Sequence, residues 1–110
     1  MHGIANTPTP PYFAVIFSNL RTDREEEYQA TAARMEQLAS KQPGFLGIES
    51  VREGLGITVS YWDSLESIAA WKAESEHLSA QKSGREKWYQ SYKVRVARVE
   101  RDYDFSSDNL

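Results

Sequence analysis

His77 is the chain's one histidine beyond the N-terminal stretch, and an ordinary pKa near neutrality makes it a candidate general base or ligand. The plain alternative is a surface histidine in a polar helix, beside Glu74 and Glu76. No second ligand stands at metal-binding spacing, so no metal site is expected. Trp62 and Trp71 have the flat faces needed to stack on an aromatic substrate; equally, they are the residue type that packs sheet against helix. Asn19, Thr58 and Ser60 could present a few polar groups into an otherwise apolar pocket, the usual construction of a small-molecule site. Arg85 could hold an anionic oxygen, while the neighbouring Trp88, Tyr89 and Tyr92 read as anchors for a helix against the last strand.

Composition limits what these residues can do. The chain has 110 residues, enough for one small domain, with 40% hydrophobic and 26% charged residues, a globular balance. It has no cysteine, which excludes a disulfide framework and a thiolate nucleophile or ligand, and fits a cytoplasmic setting. A net charge of -3 argues against nonspecific nucleic-acid binding. No apolar run approaches the roughly 20 residues of a membrane helix. The basic tract from Lys82 to Arg101 reads as a solvated face or as ion pairs to a partner's acidic helix, since no aromatic-basic motif accompanies it on the central strands. Phosphate-loop and serine-hydrolase motifs are lacking.

The candidate residues must be positioned by a short series of elements. Residues 1–11 read as a disordered tail. Residues 12–20, YFAVIFSNL, are apolar on both alternate faces, which predicts a central strand. Residues 21–41 predict a helix, opened by a capping box at Thr22–Glu25 or Asp23–Glu26, with an acidic first turn and a stripe of Tyr28, Ala32, Met35, Leu38 and Ala39. Two strands follow, 45–52 and 57–62, joined through Gly54 and Gly56. In the second, Thr58, Ser60 and Trp62 share a polar-aromatic face that suits a lined cavity. Asp63 and Glu66 predict the cap of the next helix. Helix resumes after a break at about Ser75, weakened at Gly84. The last strand is expected over 92–103, at an edge, with a bulge near Ala97. Residues 104–110 read as a second tail.

The order β-α-β-β-α-β is the ferredoxin-like split motif: an α+β fold with a four-stranded antiparallel sheet and helices on one face. Its first strand is apolar on the uncovered face too, so a second copy packing sheet against sheet is the expected cover.

The stretches PGFLGIES and GITVSYWDSLESIAAW resemble the antibiotic biosynthesis monooxygenase family of the dimeric α/β-barrel superfamily, and the resemblance extends over residues 12–103. It implies a homodimer whose sheets pair into a barrel, with a pocket in each subunit between sheet and helices. For activity it implies a monooxygenase of a small aromatic or quinol-type substrate working without a cofactor, with Asn19 and Trp71 as catalytic candidates and Thr58, Ser60, Trp62, His77 and Arg85 around the pocket. The haem-degrading branch shares the asparagine and the tryptophan. Where that branch carries a haem-ligating histidine this chain has Gln81, which counts against haem. A non-enzymatic dimeric binding or stress-related module is the third expectation.

Overall fold

A computed structural model describes residues 3–107. Four strands, β1 (Tyr12–Arg21), β2 (Phe45–Glu53), β3 (Leu55–Trp62) and β4 (Tyr89–Val99), form one antiparallel sheet in the order β2-β3-β1-β4. Three helices, α1 (Tyr28–Ser40), α2 (Leu65–Ala73) and α3 (Ser75–Ser83), precede a π-helical turn at Gly84–Trp88. This is the expected ferredoxin-like α+β fold, and β1 is the central strand that its two apolar faces require.

Pairing registers assign the faces. Phe13 lies opposite Trp62, Val15 opposite Ser60, Phe17 opposite Thr58 and Asn19 opposite Gly56. Directly paired residues share a face. Trp62 stacks with Trp71 of α2, so this is the helix-facing side. Ala14, Ile16, Ser18 and Leu20 lie on the other side with Tyr61, Val59, Ile57 and Leu55.

Glycine sets two tight points. Gly54 alone turns the β2–β3 hairpin, at φ 77°. Gly44 ends the connection out of α1 at φ 85°, where a Cβ would overlap Asp63 and Ser67. That space is filled by the cap of α2. The Ser64 side chain accepts from the Ser67 amide, and the Ser67 hydroxyl donates to Asp63 at 2.8 Å. Ser64, one residue after the expected Asp63, is therefore the capping residue.

Three further expectations are corrected. Helix α1 starts at Tyr28, not Arg21, and its N-cap Glu27 makes no side-chain cap bond. Thr22 is committed elsewhere: its amide and hydroxyl both donate to the end of the π-helical turn, the hydroxyl to the Lys87 carbonyl at 2.6 Å. The acidic run therefore precedes the helix. Strand β4 begins three residues early, at Tyr89, and pairs with β1 without a break at Ala97; the irregularity falls at Leu20/Arg21. Val94 and Val96 take the helix-facing side and Val99 the other, opposite Tyr12, so no bulge is needed there. The stretch expected to be a disordered N-terminal tail is, over residues 3–11, bonded to the sheet. The Ala5 amide donates to Glu49 at 2.8 Å, and the Thr7 hydroxyl donates to the Tyr12 hydroxyl at 2.9 Å. Its backbone comes close enough that a Cβ on Gly47 would sit 2.9 Å from that of Ala5. The outermost parts of both expected tails, residues 1–2 and 108–110, lie outside the described residues.

The side away from the helices is thus half covered. At one end Tyr12 and Ala14 are buried, and Tyr12 donates to Asp102 at 2.5 Å. At the other, Val51 is 68% and Leu55 49% exposed. Among the described residues no helix is long and apolar enough to cross a membrane.

Candidate functional site

The helix-facing side of the sheet carries polar groups at both ends. Asn19 and Phe13 are six residues apart on β1, which separates the Asn19 row from the Trp62 row by about 20 Å.

At the Trp62 end, Trp62 is fully buried and donates from Nε1 to the Ser60 hydroxyl at 2.9 Å. Trp71 stacks with Trp62 at a centroid distance of 6.3 Å, and His77 stacks with Trp71 at 4.0 Å and 13°. The Nδ1 of His77 lies 2.9 Å from the Trp71 carbonyl. A carbonyl only accepts, so Nδ1 carries the proton and Nε2 the lone pair. Burial pushes His77 below the ordinary histidine value and so keeps it neutral. The expected surface histidine is therefore a half-buried member of an aromatic stack. The stack also engages the ring surface of Trp71 that was to receive a substrate. A cleft of about 380 Å³ opens beside it between α1 and β2, floored by Phe45 and Ile48. These floor residues pair with Trp62 and Ser60.

At the other end Asn19 is only 3% exposed, the one polar residue among the buried side chains described. Its Oδ1 accepts from an Nη2 of Arg52. The Arg52 guanidinium lies over Gly56, where any Cβ would collide with it. The rings of Phe17, Tyr89 and Tyr92 meet edge to face at 5.3 to 5.9 Å. Burial pushes the Tyr89 phenol well up, and so does its hydrogen bond with Tyr28; Arg21 and Arg52 act against these. The hydroxyl stays protonated near neutrality. Arg21 itself stacks over Tyr28 at 3.4 Å and donates to the Trp88 carbonyl.

The structure therefore gathers Ser60, Trp62, Trp71 and His77 at one end, places Asn19 at the other, and sets Thr58 beside Phe17, one row in from Asn19. Arg85 is exposed on the π-helical turn. Gln81 donates its amide to the Lys72 carbonyl at 3.2 Å, which ties it to the end of α2. The reading from residues alone passed over Arg52, Phe17 and Arg21. The signal for Arg52 was present: a hairpin turning on Gly54 alone puts Arg52 opposite Gly56, which has no side chain to fill the space.

Sheet topology and helix order define a ferredoxin-like α+β domain. The antibiotic biosynthesis monooxygenase profile matches residues 11–83, and the chain belongs to that family. It is 52% identical over 110 residues to the uncharacterized protein YqjZ of Bacillus subtilis (strain 168), covering 98% of this chain and 96% of that one. Its fold is similar to SnoaB, a cofactor-independent oxygenase from Streptomyces nogalater. There the TM-score is 0.72 at 13% identity, over 84% of this chain and 97% of SnoaB. It is also similar to a putative antibiotic biosynthesis monooxygenase from Nitrosomonas europaea, with a TM-score of 0.67 at 11% identity, over 84% and 92% of the two chains.

Proposed function

We propose that this chain is a monooxygenase of a small, electron-rich aromatic or quinol-type substrate, working as a cytoplasmic homodimer without a resident cofactor. The observation that carries the reading is the buried Asn19, held by Arg52 beside a wall of three aromatic rings. Family membership and the likeness to SnoaB support it. The substrate is the reductant. Its activated ring methylene loses a proton and passes one electron to dioxygen; the radical pair joins in a C–O bond, and loss of water leaves a carbonyl. The balance is CH2 + O2 → C=O + H2O. Asn19 orients the ring oxygen and stabilises charge developing there. Thr58 and Phe17 form the next row of the wall, while Trp71, committed to its stack with Trp62 and His77, supports the fold and not the reaction. Gln81, an amide bonded to the Lys72 carbonyl where the haem-degrading branch carries its ligating histidine, supports a reaction without haem.

Oxygen uptake with anthrone-type compounds, which carry the activated ring methylene, is the test. Turnover by the wild type that drops about a hundredfold in Asn19→Ala supports the reading; equal rates in the two proteins overturn Asn19's part in it.

The dimer is read from the half-covered side. Glu49 and Glu53 lie on β2 at one edge, and Lys93 and Arg95 on β4 at the other, across an apolar centre of Leu20, Leu55 and Ile57. A two-fold axis parallel to the strands sets β2 of one copy over β4 of the next, bringing opposite charges together. An axis across the strands would oppose like charges. Sedimentation should show a dimer at micromolar concentration that weakens in Arg95→Glu; a monomeric wild type removes the argument.

A further inference from the structure

Arg52 belongs to none of the roles above except that of holding Asn19, yet its chemistry exceeds that task. A guanidinium offers five N–H donors in a rigid fork. Here the fork donates to Asn19 Oδ1 and, at 3.4 Å, to the Gly54 carbonyl at the hairpin turn. Gly56, directly opposite, leaves the fork room to lie against the β3 backbone. The arginine as a whole is exposed, so its unused donors are open to an incoming molecule. Beside it stand the edge-to-face rings of Phe17, Tyr89 and Tyr92, and Tyr92 lies directly opposite Asn19 on β4. One row across the sheet, Arg52, Gly56, Asn19 and Tyr92, thus runs from a fixed cation that itself covers Gly56, past the buried Asn19, to a partly exposed aromatic ring.

We infer that Arg52 is a specificity residue: it recognises a substrate whose aromatic ring carries a carboxylate. The carboxylate docks on the outward donors of the guanidinium fork, and the ring reaches past the Asn19 row toward the exposed face of Tyr92. A carboxylate suits the planar fork, which can donate to both its oxygens. The remaining polar neighbours are consistent with an anion. Arg21 and Arg52 both act on the Tyr89 hydroxyl with positive charge, and the Asn19 oxygen is already taken up by Arg52. The inference names the substrate class for the site proposed above and rests on that site being the binding site. It does not require oxygen chemistry.

The test is therefore a binding measurement under nitrogen, read by quenching of tryptophan fluorescence. The probes are 1-hydroxy-2-naphthoate and its neutral carboxamide. The full-length wild type should bind the carboxylate about tenfold more tightly than the amide, the gain of one charge-assisted contact. In Arg52→Gln the preference should fall to near one, with Arg52→Lys intermediate because it keeps the charge and loses the fork. Gln and Lys each keep an N–H donor for the buried Asn19 Oδ1, so these variants should melt close to the wild type. Equal binding of the two probes by the wild type, or a preference that survives in Arg52→Gln, overturns the inference. Carboxylate-selective binding without oxygen uptake in air would sustain it and remove the oxygenase reading instead.

Discussion

The two ends of the helix-facing sheet use their polar atoms differently. At the Trp62 end they are committed within the chain: Trp62 Nε1 to Ser60, His77 Nδ1 to the Trp71 carbonyl, and the ring of Trp71 stacked with two others. At the Asn19 end a buried amide and an exposed guanidinium hold each other, and the guanidinium keeps donors to spare. A satisfied network rigidifies a structure, whereas an incompletely used one next to apolar rings is what a ligand needs. The comparison sets a self-satisfied end against one with donors to spare, and the proposed function places recognition at the second, although tryptophan and histidine are the residue types that drew attention to the first.

The sharpest way to break this division is a pair of substitutions read two ways. Asn19→Ala should lower kcat/KM for oxygen uptake about a hundredfold while moving the melting temperature little. Trp71→Ala should do the reverse, with the larger loss in thermal stability. If Trp71→Ala abolishes turnover in a protein that melts normally, the stack belongs to the reaction and the division fails.

Next in size is the core itself. Trp62 is the largest fully buried side chain, with edge contact to Phe45 at 5.5 Å as well as its stack with Trp71. Trp62→Ala should cost about 3–5 kcal/mol, as large-to-small changes in a core do, measured by urea unfolding. A loss under about 1 kcal/mol, the range of surface changes, would mean that this end is not the structural one.

Much of this was legible in the sequence. The double apolar face of β1, the Gly54 turn and the helix break near Ser75 follow from local chemistry and suffice for the fold. The start of α1 was not legible. Thr22 looks like a cap in isolation, and only the return of the chain at Lys87 and Trp88, over sixty residues later, takes its hydroxyl away. The bonding of residues 3–11 was hidden for the same reason: its partners Glu49 and Tyr12 offer polar atoms only once the sheet is assembled. For the candidate site, alternation put Thr58, Ser60 and Trp62 on one face. The distance between Asn19 and Trp71 is a property of register across strands, which residue types do not show.

The smallest expected effect isolates His77. Its folded pKa lies below the ordinary value of 6.5 because burial disfavours the cation, with the Trp71 carbonyl and Glu74 opposing. Once the pH falls below that ordinary value, the unfolded chain binds a proton that the folded chain binds less well. Stability contributed by the neutral, stacked ring is therefore complete above that pH and declines as the pH drops toward the folded value. Unfolding free energies across this range should slope downward toward acid in the wild type, and less so in His77→Gln. Both proteins share every carboxylate, so the difference between the two slopes belongs to His77. If the slopes coincide, the imidazole is as free to take a proton in the folded chain as in the unfolded one, and the third layer of the stack is not held. If the difference appears while oxygen uptake follows the same pH profile in both proteins, His77 acts through packing and not as a base, and the Trp62 end keeps its structural role.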